Sequence, residues 1–260
     1  MSEILREIVQ RRRGRVGTPL RQGRLSGAFP QARLLTAGDN AFLGALYARR
    51  GRAVIAEVKL GSPRLGSLQG RIDPEAVARA YAENGAAALS VVVEPDFFHG
   101  SYELLAACKK ASGLPAIAKD FVVDPAQLEW AKQAGADAVL LVAALYNRGE
   151  IAAYAALARG LGLVPLVETH SLADLETIDG RLWELVGVNN RDLRTFEVEL
   201  GNSIALMPSL PPAAVKVSES GIGSAADLAL LRGAGFDAFL IGEALLLAPD
   251  PGAKLRELLR

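Results

Sequence analysis

Ala134-Gly135-Ala136-Asp137-Ala138-Val139-Leu140-Leu141-Val142 is the stretch that decides the fold class. A helical pattern runs into it, a glycine ends that pattern, and an unbroken apolar run follows. Glycine supplies the left-handed conformation that closes a helix. A Val/Leu run without alternation marks a strand covered on both faces, as in a parallel sheet. The same grammar recurs at Asn84-Gly85-Ala86-Ala87-Ala88-Leu89-Ser90-Val91-Val92 and at Ala234-Gly235-Phe236-Asp237-Ala238-Phe239-Leu240-Ile241. Outward from these segments, apolar runs lie near residues 53–58, 87–93, 115–119, 138–142, 164–167, 185–189, 215–218 and 238–241. Helical patterns fall between them at 74–84, 101–112, 125–134, 149–160, 171–179 and 224–233, and Pro74 and Pro125 suit first helical turns. Eight strands alternating with helices predict an α/β chain of the closed (β/α)₈ TIM barrel type. An open doubly wound sheet is the alternative, but the Gly-x-Gly-x-x-Gly turn it would place after its first strand is missing from the sequence.

Residues 1–50 precede the first strand and carry helical patterns at 2–12 and 37–49, joined by a Gly/Pro/Arg-rich stretch. Ile4, Leu5, Ile8 and Val9 share one face of the first pattern. An apolar face of that kind predicts an N-terminal helical extension packed on the barrel, within one domain spanning 1–260. Glu3 and Glu7 break up any secretory or transit-peptide pattern.

The 29 basic and 29 acidic side chains cancel, so no basic excess points to nucleic acid or to a membrane surface. No apolar stretch reaches the ~20 residues of a membrane span. One cysteine, Cys108, allows no internal disulfide, which fits a reducing cytoplasm. With two histidines beside it, a His/Cys metal site is not expected.

Polar residues close the apolar runs. Glu57 and Lys59 stand two apart and so face the same way on a strand. Lys119, Glu168, Asn189 and the pair Glu219-Ser220 end later runs in the same manner. In a barrel the carboxyl ends of the strands form the active-site mouth. Lysine and glutamate would therefore carry acid–base work there, with the lysine pKa shifted down towards neutrality by clustering and partial burial. Ser220-Gly221 after strand seven and Gly242-Glu243 after strand eight suggest a phosphate site, because glycine lets backbone N–H groups approach an anion. Glu243 is unfavourable for a dianion unless its side chain points away. Phe97-Phe98 and Phe121, with Leu193, suggest a pocket for a flat apolar group. His170 and Cys108 are read as structural.

Larger blocks carry a resemblance. Glu57-Val58-Lys59 with Ser62-Pro63, Glu94-Pro95 with Phe98, Lys119-Asp120-Phe121-Val122-Val123-Asp124-Pro125, Gly187-Val188-Asn189-Asn190-Arg191-Asp192-Leu193 and Ser218-Glu219-Ser220-Gly221-Ile222 occur in order along the chain. Together they resemble the indole-3-glycerol-phosphate synthase family of tryptophan biosynthesis. The resemblance implies a cytoplasmic carbon–carbon lyase that closes an indole ring on 1-(2-carboxyphenylamino)-1-deoxyribulose 5-phosphate. It implies no organic cofactor or metal, and association with other tryptophan-pathway enzymes. Lys119 would be the general acid, and Lys59 would hold the substrate carboxylate. Glu168 would act in proton removal and dehydration, with Glu57 and Asn189 positioning these groups. Glu219 and Ser220 would bind the sugar phosphate, Gly221 and Gly242 its phosphate, and Arg191 the site border. Phe98, Phe121 and Leu193 would enclose the aromatic ring, while Ser62 and Glu243 complete the substrate-binding set.

The chain departs from the family pattern at several positions. Leu60 and Gly61 stand where a basic residue and an alanine are common, Arg64-Leu65 where Ser-Lys is common, and His99 where glycine is common. Gly61 and Gly66 are expected to loosen the first loop. Two other readings remain at this point: another phosphate-binding barrel enzyme, or a catalytically weak barrel kept as a binding partner.

Overall fold

The structure is a computed structural model that describes residues 3–16, 33–192, 195 and 197–260. Eight parallel strands close into a barrel: β1 (Ala53–Val58), β2 (Ala88–Val92), β3 (Ala116–Lys119), β4 (Ala138–Val142), β5 (Val164–Thr169), β6 (Leu185–Asn189), β7 (Val215–Glu219) and β8 (Ala238–Ile241). Each pairs with its sequence neighbours, and β8 returns to β1 through Ala53 beside Ala238 and Ile55 beside Leu240. The apolar runs read from the sequence are these strands. Each glycine of the repeated grammar has a positive φ, 98° at Gly85, 85° at Gly135 and 107° at Gly235.

Side-chain alternation sorts each strand into two layers. Outward residues such as Val54, Leu89, Val139 and Val186 pack under the surrounding helices. Inward residues such as Ile55, Ile117, Leu140, Leu166, Leu185 and Val217 fill the barrel. Continuing the inward parity to the carboxyl ends gives Glu57, Lys119, Glu168, Asn189 and Glu219. One layer of the barrel interior is therefore charged, and it is the top one.

The helices are α1 (Glu3–Val16), α2 (Ala41–Ala48), α3 (Pro74–Glu83), α4 (Tyr102–Ser112), α5 (Ala126–Gln133), α6 (Arg148–Gly160), α7 (Leu172–Ile178), α8 (Gly201–Leu206), α9 (Ala225–Ala234), α10 (Glu243–Leu246) and α11 (Pro251–Leu258). Pro74 opens α3 as expected, whereas Pro125 caps α5 from outside without a side-chain bond. The two N-terminal helices sit at opposite ends of the barrel. Phe42, Leu43 and Leu46 of α2 join the interior cluster of inward strand residues. Asn40 caps α2 through Leu43 N and donates to the Asp137 and Gly162 carbonyls, which precede β4 and β5. That places α2 as a plug at the amino ends of the strands.

α1 crosses the other end. Arg12, almost fully buried, grips Asp120 just past β3 through Nε at 3.0 Å and Nη2 at 2.5 Å. Asp120 also accepts from Tyr102 Oη and Gln127 Nε2, both at 2.9 Å. Tyr102 in turn meets Trp130 edge-on, with ring centroids 6.0 Å apart. Arg15 adds a paired contact to Asp96 at 2.7 and 2.6 Å. Residues 17–32 of the Gly/Pro/Arg-rich stretch lie outside the described residues.

The loop after β1 is held by backbone pairing. Gly61 pairs with Ser67 and Ser62 with Gly66 in a short antiparallel hairpin, and Leu68 N donates to Leu60 O at 2.7 Å. Ser62 Oγ accepts from Leu65 N at 3.0 Å. Gly66 takes a positive φ of 69° at the turn of this hairpin. Among the described residues no helix is long and apolar enough to cross a membrane.

Candidate active site

A cavity of about 570 Å³ opens at the carboxyl ends of the strands. Glu57, Lys59, Lys119, Glu168 and Asn189 line it, as do Arg191, Ser220, Gly221, Gly242 and Glu243. Ser62 comes from the β1 hairpin, and Phe98 and Phe121 complete an apolar wall with their rings 6.2 Å apart. Ile4, Leu5 and Ile8 of α1 roof it. The structure therefore brings together the described residues that the sequence nominated for this mouth, except Glu219, which lies just beneath, and Phe97, which stays out of the cavity lining. Leu193 falls outside the described residues.

The charged layer is one network. Glu57 accepts from Lys59 Nζ at 2.7 Å through Oε1 and from Lys119 Nζ at 3.1 Å through Oε2. Lys119 Nζ also reaches Glu219 Oε2 at 3.5 Å. Burial disfavours the Glu57 carboxylate, but Lys119 and Lys59 outweigh it and bring its pKa down to about 2. Glu219 is completely buried and lies against the Glu168 carboxyl group. Burial first, then the Glu168 charge, push Glu219 up to about 8 against the pull of Lys119.

The lysine corrects an expectation. Clustering and burial were to lower its pKa, yet Lys119 stands well above the ordinary lysine value. Burial does act against its charge, but Glu57, Glu219 and Glu168 surround it and prevail. Three carboxyl groups from three strands make Lys119 a firmly protonated donor.

Two glycines make room for this layer. A Cβ on Gly187 would lie 2.2 Å from Glu219 Oε1, and one on Gly242 would lie 2.3 Å from Glu57 Oε1. Both glycines are notches into which neighbouring carboxyl groups fit. The Ser220-Gly221 turn is shaped by backbone instead: both residues are left-handed, with φ 67° and 81°. A serine in that region is uncommon and needs support. Asn190 Nδ2 supplies it by donating to Glu219 O at 3.0 Å and Ser220 O at 3.1 Å.

Glu94 does similar work on the apolar side. Its buried carboxylate accepts from Asp96 N, Phe97 N and Phe98 N at 2.9, 2.7 and 3.1 Å. This turn sends Phe98 into the cavity, while Phe97 lies under the Arg11 guanidinium at 5.1 Å. His170 backs Glu168, with Nε2 3.3 Å from Glu168 Oε1, and stays out of the cavity lining. Cys108 is buried in α4 with Sγ 3.6 Å from Pro74 O, and burial pushes its thiol up to about 12. Among the described residues no cluster of His, Cys, Asp or Glu is arranged to hold a metal ion.

A family model described as indole-3-glycerol phosphate synthase matches residues 5–258. The chain belongs to the indole-3-glycerol phosphate synthase family. An indole-3-glycerol phosphate synthase of Azoarcus sp. (strain BH72) is 44% identical over 263 residues, covering 99% of both chains. One of Carboxydothermus hydrogenoformans is 48% identical over 207 residues, covering 79% of this chain and 78% of its relative. Among solved structures, 3-hexulose-6-phosphate synthase from Salmonella typhimurium superposes with a TM-score of 0.63 at 16% identity, over 80% of this chain and 96% of that one. At that identity the likeness speaks for the barrel alone.

Against the indole-3-glycerol phosphate synthase pattern, some site residues escaped sequence reasoning. Asp120 lines the cavity and anchors α1, Asn190 braces the Ser220 turn, and Arg64 reaches the rim from the β1 hairpin. Asp120 and Asn190 stood inside quoted motifs, so their position was visible and their partners were not.

Proposed function

We propose that this barrel converts 1-(2-carboxyphenylamino)-1-deoxyribulose 5-phosphate into indole-3-glycerol phosphate, carbon dioxide and water. The observation that carries the reading is Lys119: a partly buried ammonium that faces the cavity, held by Glu57 and Glu219 beside an aromatic wall. The aromatic carbon bearing the carboxylate attacks the ribulose carbonyl, and Lys119 protonates the oxygen as it becomes a hydroxyl. Loss of carbon dioxide returns its bonding electrons to the ring. Loss of that hydroxyl as water, with a proton removed from the neighbouring carbon by Glu168, completes the indole. Positive charge that builds on the substrate nitrogen is stabilised by the carboxylates at the mouth.

Lys59 holds the substrate carboxylate, Phe98 and Phe121 flank the ring, and Asn189 orients the reacting groups. Ser220, Gly221 and Gly242 face the sugar phosphate. Glu219 lies below the cavity and acts on the substrate through Lys119 and Glu168. The alternative barrel enzyme, with a cysteine acid–base partner, is disfavoured by Cys108, packed in α4 away from the mouth. Residues 1–260 act as one barrel domain with 1–50 as its extension, as the placement of α1 and α2 at its two ends supports. The enzyme works in the cytoplasm, in association with other enzymes of tryptophan formation, which co-purification tests.

Lys119→Ala and Glu168→Gln are each expected to lower kcat by ~10²-fold or more, as for a lost acid or base. Steady-state formation of indole-3-glycerol phosphate, followed by its fluorescence, reads this directly. Near-normal turnover in either variant would contradict the assigned roles.

A further inference from the structure

Glu168, the proposed base, has an imidazole for a neighbour. His170 follows it by two residues, just past the end of β5. Its Nε2 stands 3.3 Å from Glu168 Oε1, and its Nδ1 stands 3.8 Å from Asp174 Oδ2. Both ring nitrogens are closed off from solvent, and neither has an aligned hydrogen bond among the described residues. The backbone beneath the ring is fixed. His170 N donates to Asp174 Oδ2 at 2.8 Å, while Asn202 Nδ2 bridges His170 O at 3.3 Å and Asn189 O at 3.1 Å. A rotation of the side chain is all that separates the imidazole from a straight bond to Glu168.

We propose that His170 is the positioning residue of the base: its Nε2–H donates to Glu168 Oε1 and holds that carboxylate at the mouth, leaving Oε2 for the substrate. The proposal rests on the reaction assigned to this mouth above. A neutral imidazole carries one ring proton, and the proton belongs on the nitrogen with an acceptor in reach. Only Nε2 has a carboxylate oxygen within hydrogen-bond distance, since the Asp174 oxygen lies farther from Nδ1 and already accepts from His170 N. An unpaired buried polar atom is costly, and this bond satisfies one of the two.

Glu219 gives the bond its purpose. Its carboxyl group lies against that of Glu168, and it sits beneath the cavity. A Glu168 side chain drawn only to Glu219 would turn down into the barrel and away from the substrate. The imidazole supplies the opposing pull. Bonds of this kind are often long in a free enzyme and tighten once substrate is bound. His170 does not line the cavity, so it acts on the reaction only through Glu168.

Nitrogen NMR of isotopically labelled histidine tests the contact without turnover. The chain has two histidines, so His99→Gly leaves His170 as the single imidazole. In that chain Nε2 is expected to carry a proton, and to lose it to Nδ1 once Glu168→Leu is added. A bare Nε2 in the first chain, or a proton unmoved in the second, would overturn the proposal. Single-turnover formation of indole-3-glycerol phosphate reads the role. His170→Leu is expected to slow it about tenfold with KM unchanged, as for a misplaced reacting group. His170→Gln keeps an N–H donor and should regain most of that rate. A histidine that merely fills space would be replaced better by leucine than by glutamine. A leucine variant within about twofold of wild type, or as fast as the glutamine variant, therefore also overturns the proposal. Should the proton shift as expected while wild type forms no indole-3-glycerol phosphate, the assigned reaction fails and the contact stands. Normal turnover in His170→Leu is the reverse case.

Discussion

Glu219 carries its proton into the neutral range because burial and the neighbouring Glu168 carboxyl both oppose its charge. Its pKa rises from the ordinary 4.5 to about 8, so between those values the folded chain keeps a proton that the unfolded chain releases. Stability from this group is fully present below 4.5 and is lost as pH climbs to about 8. Glu57 has the opposite sign: its contribution is present above 4.5 and is lost as pH falls towards about 2. Glu219→Gln is therefore expected to gain in Tm relative to wild type as pH rises from about 5 to about 8.5, measured by thermal unfolding. A difference that stays constant over that range would show that the group titrates normally. The positions of these residues were legible, because a period of two along each strand sends Glu57, Lys119, Glu168 and Asn189 inward at one level. The charge state of Lys119 was not, since it depends on carboxyl groups arriving from β1, β5 and β7.

The hairpin after β1 and the segment after β2 show what only the element scale reveals. Gly61 and His99, both read in the sequence as departures from the family pattern, lie side by side in the structure. A Cβ on Gly61 would lie 2.6 Å from His99 Cδ2. His99 itself has φ 56°, a conformation that suits glycine better. The imidazole of His99 occupies the space that a side chain at position 61 would need. Gly61→Ala alone is expected to destabilise the fold by about 1–3 kcal/mol through overpacking. Adding His99→Gly should recover much of that loss, giving a coupling energy of about 1 kcal/mol or more in urea unfolding. Additive effects would mean that the contact is incidental. The strands themselves were readable because cover on both faces makes continuous apolar runs. α8 and α11 were not: α8 begins without a side-chain cap, and α11 spans only Pro251–Leu258.

For the whole molecule, the N-terminal helices close the barrel from both ends, and α1 meets the active site through the apolar side chains of Ile4, Leu5 and Ile8 and through the buried Arg12–Asp120 ion pair. Arg12 and Asp120 are both nearly inaccessible, so removing the guanidinium leaves a buried carboxylate next to Lys119. Arg12→Met is expected to cost about 3–5 kcal/mol in urea unfolding, as for other broken buried pairs. It should also lower turnover, since Asp120 directly follows the proposed acid. A loss under about 1 kcal/mol would place α1 among loosely attached elements. The sequence announced the apolar face of α1 through Ile4, Leu5 and Ile8, but not that this face roofs the cavity. The edge contact between Tyr102 and Trp130 has a practical consequence, because Tyr102 also bonds Asp120. In a chain carrying Trp183→Phe, the remaining indole chromophore would emit as an optical gauge of whether the roof is seated.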